Sequence, residues 1–542
     1  MGSRGTLALL FVFALAVRLF YVASLPETPF FSHLQTNAAR YDLWAKAILS
    51  GRGPLPPYEQ APGYPYFVAS VYALFGPEPR AVAWVQCFLG ALVVVFLAAA
   101  ARRLFGPGAA VATGVLAALY GPFVYYCAEL LPATLFLATV AGGFAASVLA
   151  PGRDEGSKPG LWLVSGAAWA AALFVRSNAV LAYPPVFLDA LRRGGASAVK
   201  AVGLPCLAAL LFFPAWNAFR GGEVVWLTTS GGVNLWLGNN PYSDGVSPFV
   251  SGRKGEVAEA IREESRTAAD ADRRFRRLAL SFWKEAPGRA LLLAGKKFLW
   301  TWTARELPNN ADIEWRREKS PLFAGYLFPF HMGYLVPLAA AALFVLPFGR
   351  FAWALSAPAF LGLGTCLVFF TNARFRLPLA LPLLVLAGGF LSALPRLRTL
   401  PRGSLLGTLA GFSAGAVLSW GNFFGVWDYR IPEIVANTGI LERKTGHPDR
   451  AIGHLEEAVR LDPTDGIAWV HLALAFEETG RPRDALRAFL DGIASNPGDR
   501  QLAAMAVLFF HRNGLPRGEL LAYVAEPTGE RRRRLLGLLG EP

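Results

Sequence analysis

The sequence predicts an all-α protein: a polytopic membrane helix bundle followed by a small helical-repeat domain. Three observations predict this fold class: long apolar stretches, a composition with 54% hydrophobic and only 17% charged residues, and a repeated pattern near the C-terminus. Each stretch can cross a hydrocarbon core about 30 Å thick as a helix. The stretches without Asp, Glu, Lys or Arg are residues 81–101, 106–128, 130–152, 201–219, 320–349, 351–373, 377–395 and 403–427.

Charges interrupt two further apolar stretches. Thr6–Leu25 holds only Arg18. Because it lacks a small-residue cleavage site and more spans follow, we interpret it as a retained first helix and not as a removed signal peptide. Residues 159–190 are broken at Arg176, which predicts two short spans with the break outside. Residues 61–76 are short and rich in Pro and Gly, and predict a helix at the outer interface. The total is about eleven spans.

Short basic loops orient this bundle, because Lys and Arg collect on the cytoplasmic side of a membrane. The N-terminus is then inside, the loops at 26–61 and 220–319 are outside, and everything after Asp428 is outside. Each short loop assigned to the inside is basic, which supports the orientation. These loops contain Arg102, Arg103, Arg153, Arg192, Arg193, Arg396, Arg398 and Arg402.

The formal net charge of +14 indicates anionic partners. In a membrane protein these are lipid headgroups and anionic substrates. Nucleic acid is excluded as a partner, because the basic clusters are short and carry no interleaved aromatic residues. The four cysteines lie in apolar runs without metal or redox spacing, so no disulfide framework is predicted. No phosphate loop and no His-Glu-x-x-His motif occur, which argues against an ATP-driven pump and a zinc enzyme.

The C-terminal part of the chain repeats every 34 residues, as the spacing of Gly446, Gly480 and Gly514 shows. The Trp, Leu, Ala, Phe, Gly and Pro positions of the middle copy resemble the tetratricopeptide repeat, in which two antiparallel helices form each unit. We therefore predict a membrane domain at residues 1–427 and a repeat domain at 428–542. The repeats are either a docking surface for a protein partner or a structural cap.

Chemistry is expected in the charged outer loops. Residues 37–50 of the first outer loop have helical spacing, and predict a helix along the membrane surface with Asp42 near the interface. A carboxylate there is positioned to take a proton from an acceptor hydroxyl. The alternative is a solvated aspartate without a catalytic role.

Several segments together resemble the glycosyltransferase C superfamily, in the protein mannosyltransferase-like branch that includes the aminoarabinose transferase of lipid A. The resemblance covers residues 5–400, and bacterial members of this group carry tetratricopeptide tails. The order of the segments and their shared outer location make the set specific. The segments are the acidic first loop, Pro-Gly-Tyr-Pro at 62–65, and residues 125–131, 176–178, 234–241, 306–310 and 374–378.

The resemblance implies an inverting hexosyl- or other glycosyltransferase of the bacterial inner (plasma) membrane, with a periplasmic or extracytoplasmic repeat domain. A polyprenyl-phosphate sugar donates to an envelope acceptor, which is a lipid, glycan or protein. A first-loop aspartate acts as base, and Glu129 is the second acid. The position equivalent to the base is Asn37, which cannot take a proton at neutral pH. Three interpretations stay open: Asp42 is the base, the alignment is displaced, or this copy is catalytically weakened.

The leaving phosphate requires fixed positive charge. The candidates are Arg374 and Arg376, at the end of a predicted span, and Arg176, in the break of the apolar stretch 159–190. The alternative for each is a side chain that snorkels to the membrane interface. The resemblance does not establish a cofactor. A divalent cation is a candidate, but no metal ligands are predicted. The further candidate substrate-binding residues are Lys297, Glu306, Asn239, Asn240 and Tyr64.

Other classes of protein remain as alternatives. The main one is a catalytically weak polytopic scaffold whose repeats dock envelope proteins, and Asn37 is the best argument for it. An O-antigen-ligase-like enzyme would place its large loop later in the bundle. A transporter is disfavoured because the spans show no internal repeat.

Overall fold

The computed structural model describes residues 3–53, 56–156, 159–310, 313, 315, 331–347 and 349–538. Within these residues all regular structure is helical and no β-strand is present, which confirms the predicted all-α fold class. Part of the predicted span at 320–349 lies outside the described residues, which resume at His331.

Apolar helices form the membrane part of the chain. Among the described residues, those long and apolar enough to cross a membrane are Arg4–Ser24, Pro79–Phe105, Ser177–Gly221, Ala373–Thr399 and Arg402–Gly425. The shorter apolar helices are Pro107–Leu119, Ala133–Leu149, Pro159–Val175, Met332–Ala342 and Ala352–Val368. The number of spans stays a prediction.

Extended residues break two of the apolar stretches. The run at 106–128 forms two helices, because Tyr120 is extended (ψ 108°) and a Gly-Pro pair begins the second helix. The break predicted at Arg176 is present: this residue has φ −151° and ψ 120°, and the helix before it ends at Val175. An arginine at such a break needs partners inside the protein, because lipid offers none.

Further helices connect or cover the bundle. One of them, Gly231–Leu237, forms in a segment rich in Gly and Asn, residue types that usually favour turns. The reason is packing, because Trp236 lies 5.3 Å from Phe275 and the backbone N–H of Gly232 donates to the Asp272 carboxylate. These helices are Glu27–Phe30, Thr36–Leu49, Gly63–Phe75, Gly121–Ala128, Tyr183–Asp189, Gly231–Leu237, Gly252–Glu264, Ala268–Glu285 and Pro287–Trp302.

The C-terminal helices are paired as the repeat pattern predicts. Gly446, Gly480 and Gly514 follow the first helix of each pair with φ of +83°, +73° and +66°. Glycine adopts this left-handed conformation without a steric penalty, so these turns explain the 34-residue spacing. The helices are Pro432–Lys444, Pro448–Leu461, Gly466–Glu478, Pro482–Ser495, Arg500–Arg512, Arg517–Ala525 and Gly529–Gly537.

The first repeat helix packs on the outer loops of the membrane part. Glu433, only 7% exposed, accepts a hydrogen bond from the Ser247 hydroxyl at 3.3 Å and lies 3.8 Å from the Lys254 ammonium. On the first outer loop, the Gln35 amide donates to the Asn437 carbonyl at 3.1 Å. The start of the repeat domain is therefore anchored to both outer loops.

Candidate active site

A cavity of about 430 Å³ lies where the loops predicted to be outside meet the ends of the apolar helices. Its wall combines the Thr36–Leu49 helix, the end of the first outer loop and the break at Arg176 with segments of the long outer loop. The lining residues used below are Asn37, Arg40, Tyr41, Glu59, Gln60, Arg176, Asn178, Asn234, Pro248, Phe249, Val250, Arg262, Asn309, Asn310, Phe369, Arg374 and Phe375.

The buried Arg374 and the partly buried Arg176 give this part of the cavity its positive charge. Arg374 is 8% exposed, and its Nε has no hydrogen-bond partner among the described residues. It stands in the first turn of the Ala373–Ala393 helix, which the Asn372 side chain caps by accepting from the Phe375 N–H at 2.9 Å. Arg176 lies over the ring of Phe375 with its Cζ 4.6 Å from the centroid. Two guanidiniums at a helix N-terminus form a site suited to an anion.

Amide side chains line the rest of the wall. Asn309 is 3% exposed, yet neither its Nδ2 nor its Oδ1 has a hydrogen-bond partner among the described residues. Asn178 donates to the Thr365 hydroxyl at 2.8 Å, and Asn37 donates to the Asn310 Oδ1 at 3.4 Å. Buried amides without partners carry a desolvation cost that a polar ligand relieves. Sugar hydroxyls, which both donate and accept, match such groups.

Glu59 is the single carboxylate among the described lining residues. Its Oε1 accepts from Arg40 at 2.8 Å, and the two side chains are 55% and 42% exposed, respectively. The backbone around it is fixed, because the Glu59 carbonyl accepts from the Ser230 N–H at 3.1 Å and the Gln60 side chain accepts from the Tyr41 hydroxyl at 2.6 Å. Sequence reasoning missed Glu59, since only the tertiary pairing with Ser230 brings it to the cavity.

Asp42 does not line the cavity, although Asn37 does. Its carboxylate accepts from the Lys46 ammonium at 2.8 Å and from the Tyr72 hydroxyl at 2.7 Å. The helix geometry explains the separation. Asn37, Arg40 and Tyr41 share one face at spacings of three and four, whereas Asp42 is rotated by about 140° from Asn37. The structure thus directs Asp42 toward the Gly63–Phe75 helix.

Glu129 and Tyr64 lie together behind the cavity wall. Glu129 is 5% exposed in the extended link after the Gly121–Ala128 helix, and its carbonyl accepts from the Gln86 amide at 2.8 Å. The Tyr64 hydroxyl donates to the other end of the same Gln86 amide at 3.1 Å, and the Tyr64 side chain is fully buried. Neither residue is part of the lining.

The predicted pair Arg374 and Arg376 separates in the structure. Arg376 is 2% exposed, outside the lining, and forms a 2.7 Å ion pair with Glu306. It also donates to the carbonyls of Thr303 at 2.7 Å and Arg305 at 2.8 Å. Arg376 and Glu306 therefore hold the segment that precedes the lining residues Asn309 and Asn310.

Lys297, Asn239 and Asn240 also lie outside the lining. The Lys297 ammonium is 3.2 Å from both the Asn239 Oδ1 and the Leu367 carbonyl, and burial lowers the pKa of Lys297 to about 8. Asn240 donates to the Trp236 carbonyl at 2.7 Å. These contacts join the Gly231–Leu237 helix to its neighbours and support the wall from behind.

The lining does not fit a divalent cation. Such ions take several carboxylate or carbonyl oxygens, but the described lining has one carboxylate, which Arg40 holds, and further arginines. Elsewhere in the described part of the chain, no group of three His, Cys, Asp or Glu side chains is arranged to bind a metal.

Residues 59–217 match the family model described as dolichyl-phosphate-mannose-protein mannosyltransferase, and residues 443–508 match a tetratricopeptide repeat. The first match lies in the part of the chain that holds several of the apolar helices. Over these residues the chain is similar to the mannosyltransferase family and to tetratricopeptide repeats, which confirms the predicted resemblance.

Solved structures that are similar to the chain include two membrane proteins with bound lipid phosphates. One is the oligosaccharyltransferase AglB from Archaeoglobus fulgidus in complex with an inhibitory peptide and a dolichol-phosphate, at 12% identity and a TM-score of 0.43; the match covers 81% of this chain and 57% of AglB. The other is ArnT from Cupriavidus metallidurans bound to undecaprenyl phosphate, at 16% identity and a TM-score of 0.32, covering 77% of this chain and 89% of ArnT. No curated protein matches the chain.

Proposed function

We propose that this protein transfers a hexose or related sugar from a polyprenyl-phosphate carrier to an envelope acceptor, with inversion at the anomeric carbon. The observation that carries the proposal is the pairing of Arg176 and Arg374 in a cavity that also holds the unpartnered Asn309 amide. A phosphate needs the guanidiniums, and a sugar needs the amides.

The cavity supplies what the leaving group requires. When the bond between the anomeric carbon and the phosphate oxygen breaks, negative charge develops on the polyprenyl phosphate. Fixed cations that already point at the phosphate stabilise this charge without the reorganisation that water would need. Arg374 is suited to this role, because no carboxylate of the described residues neutralises it.

An outer location of the cavity is supported by the opposite, basic end of the bundle. There Arg103 pairs with Glu155 at 2.5 Å, Arg153 donates to the Leu191 carbonyl at 3.2 Å, and Arg192 lies over Trp353. Positive residues collect on the cytoplasmic side. The cavity and the repeat domain then face the outside of the plasma membrane, where a flipped lipid-linked sugar is available.

The experiment for this function is reconstitution in lipid vesicles with a labelled polyprenyl-phosphate hexose and envelope extracts as acceptors. The transferase account expects labelled acceptor and free polyprenyl phosphate in equal amounts. Binding of the carrier without transfer by the wild type, combined with transfer by Asn37→Asp, would instead favour the weakened scaffold. Because Asn37 lies on the cavity wall, an aspartate at this position would be placed at the site of transfer.

We further propose that the repeat domain has two roles. It holds residues 247–251 of the long loop, which contribute to the cavity wall, and it serves as a docking surface for a protein. Glu433 binds Ser247 and Ser251, which flank the lining residues Pro248, Phe249 and Val250. A partner bound to the repeats would therefore alter the position or mobility of this part of the cavity wall.

We expect Glu433→Ala to loosen the segment at 247–251, because a buried hydrogen bond to a charged group contributes about 1.5–3 kcal/mol. Hydrogen–deuterium exchange of this segment should become at least about tenfold faster. The matched control is Glu456→Ala on the exposed surface of the repeats, which should leave that exchange unchanged. Equal protection in the two variants would contradict the coupling.

A further inference from the structure

We infer that Glu59 is the catalytic residue that takes the proton from the acceptor hydroxyl. The inference rests on the proposed function and assigns its missing base to a residue other than Asn37 and Asp42. Four properties of Glu59 carry it: its place on the cavity wall, the fixed backbone around it, its ion pair with Arg40, and the engagement of Asp42 elsewhere.

The location is the first argument. A general base must reach the proton that it removes to within about 3 Å in the reacting complex. Glu59 is the single carboxylate among the described residues that line the cavity, and its side chain is 55% exposed. The amide and guanidinium groups of the lining cannot act as the base, because they do not accept a proton at neutral pH.

The surroundings hold this carboxylate in place. The backbone of residues 58–59 accepts hydrogen bonds from the N–H groups of Thr229 and Ser230 at 2.9 and 3.1 Å. Arg40, on the cavity face of the Thr36–Leu49 helix, donates to the Glu59 Oε1 at 2.8 Å. Arg40 thus orients the Oε1 oxygen, and among the described residues the Oε2 oxygen forms no hydrogen bond.

The competing carboxylate is engaged elsewhere. Asp42 uses one oxygen for Lys46 and the other for Tyr72, and it is absent from the lining. To act as base it would have to leave both partners and rotate around its helix. Glu59 needs no such rearrangement.

The step balances with groups already named. The acceptor O–H bond breaks and its proton passes to Glu59. The oxygen electron pair forms the new bond to the anomeric carbon. The bond from that carbon to the phosphate oxygen breaks, and its electron pair leaves on the polyprenyl phosphate, whose charge Arg374 and Arg176 stabilise.

The test compares Glu59→Gln, Asp42→Asn and Arg40→Gln in the full-length protein in vesicles. The measured quantities are the rate of sugar transfer and the affinity for undecaprenyl phosphate. We expect Glu59→Gln to slow transfer by about 10²–10⁴-fold, the range of general-base catalysis, with little change in carrier affinity. Asp42→Asn should lose less than about tenfold. The acid limb of the pH–rate profile should disappear in Glu59→Gln, because the residual reaction no longer requires an ionised carboxylate.

Arg40→Gln separates a chemical role from a merely structural one, because it breaks the same ion pair and leaves the carboxylate in place. A loss as large as that of Glu59→Gln would overturn the inference. So would an active Glu59→Gln beside an inactive Asp42→Asn. If the wild type transfers no sugar, the proposed function itself fails; if the wild type and Glu59→Gln both transfer sugar at similar rates, the function stands and only the inference fails.

Discussion

Arg374→Ala is expected to reduce sugar transfer by about 10²–10³-fold. The reason is electrostatic: a fixed donor aimed at developing charge contributes about this much in other enzymes, and water in the truncated space replaces it poorly. Arg374 has no carboxylate partner among the described residues, so its removal leaves no buried anion behind. The loss should therefore appear in rate and not in stability.

The measurement is initial velocity in vesicles, with thermal unfolding of the same sample as a check on folding. Arg374→Lys keeps the charge without the planar fork, and should recover part of the rate. Arg277→Ala, an exposed arginine of the Ala268–Glu285 helix, is the matched control and should behave as the wild type. If Arg374→Ala transfers sugar at the wild-type velocity, the Arg374 guanidinium does not stabilise the leaving phosphate.

Glu306→Ala is expected to destabilise the membrane domain by about 3–5 kcal/mol, because it leaves the buried Arg376 guanidinium without its counter-charge. The two side chains are only 12% and 2% exposed, so solvent compensates little of this cost. The segment between Thr301 and Glu306 also loses its anchor. Asn309 and Asn310 follow that segment on the cavity wall, so carrier binding should weaken as well.

Thermal unfolding in detergent measures this second effect. Glu264→Ala provides the comparison, since Glu264 is 69% exposed in its ion pair with Arg274 and a surface pair contributes about 0–1 kcal/mol. A Glu306→Ala protein as stable as Glu264→Ala would show that the three carbonyl acceptors of Arg376 suffice without the carboxylate.

The fold class and the repeats could be predicted from the sequence because their signals are long. An apolar run extends over some twenty residues, and a 34-residue spacing recurs at Gly446, Gly480 and Gly514. Breaks are local and were harder to anticipate. Arg176 stood out because it is a charge in an apolar stretch, whereas Tyr120 gave no comparable signal although it divides the run at 106–128.

Which of the candidate residues face the cavity could not be predicted from the sequence. Arg374 and Arg376 are two positions apart in a helix and therefore face different directions, which puts one in the cavity and the other against Glu306. Asp42 and Asn37 differ by helical phase in the same way. Whether a polar side chain is available or already paired depends on tertiary partners, as Lys297 with Asn239 illustrates. Glu59 reaches the cavity through backbone pairing that no local pattern encodes.

The central claim, that Arg374 and Arg176 bind the phosphate of a lipid carrier, is tested most directly by comparing two ligands that differ only in that phosphate. Undecaprenyl phosphate and undecaprenol would be titrated against the full-length protein in detergent, with wild type and Arg374→Ala side by side. The account predicts that the wild type binds the phosphate at least about tenfold more tightly than the alcohol, and that Arg374→Ala loses most of this preference. Equal affinity of the wild type for both lipids would contradict it.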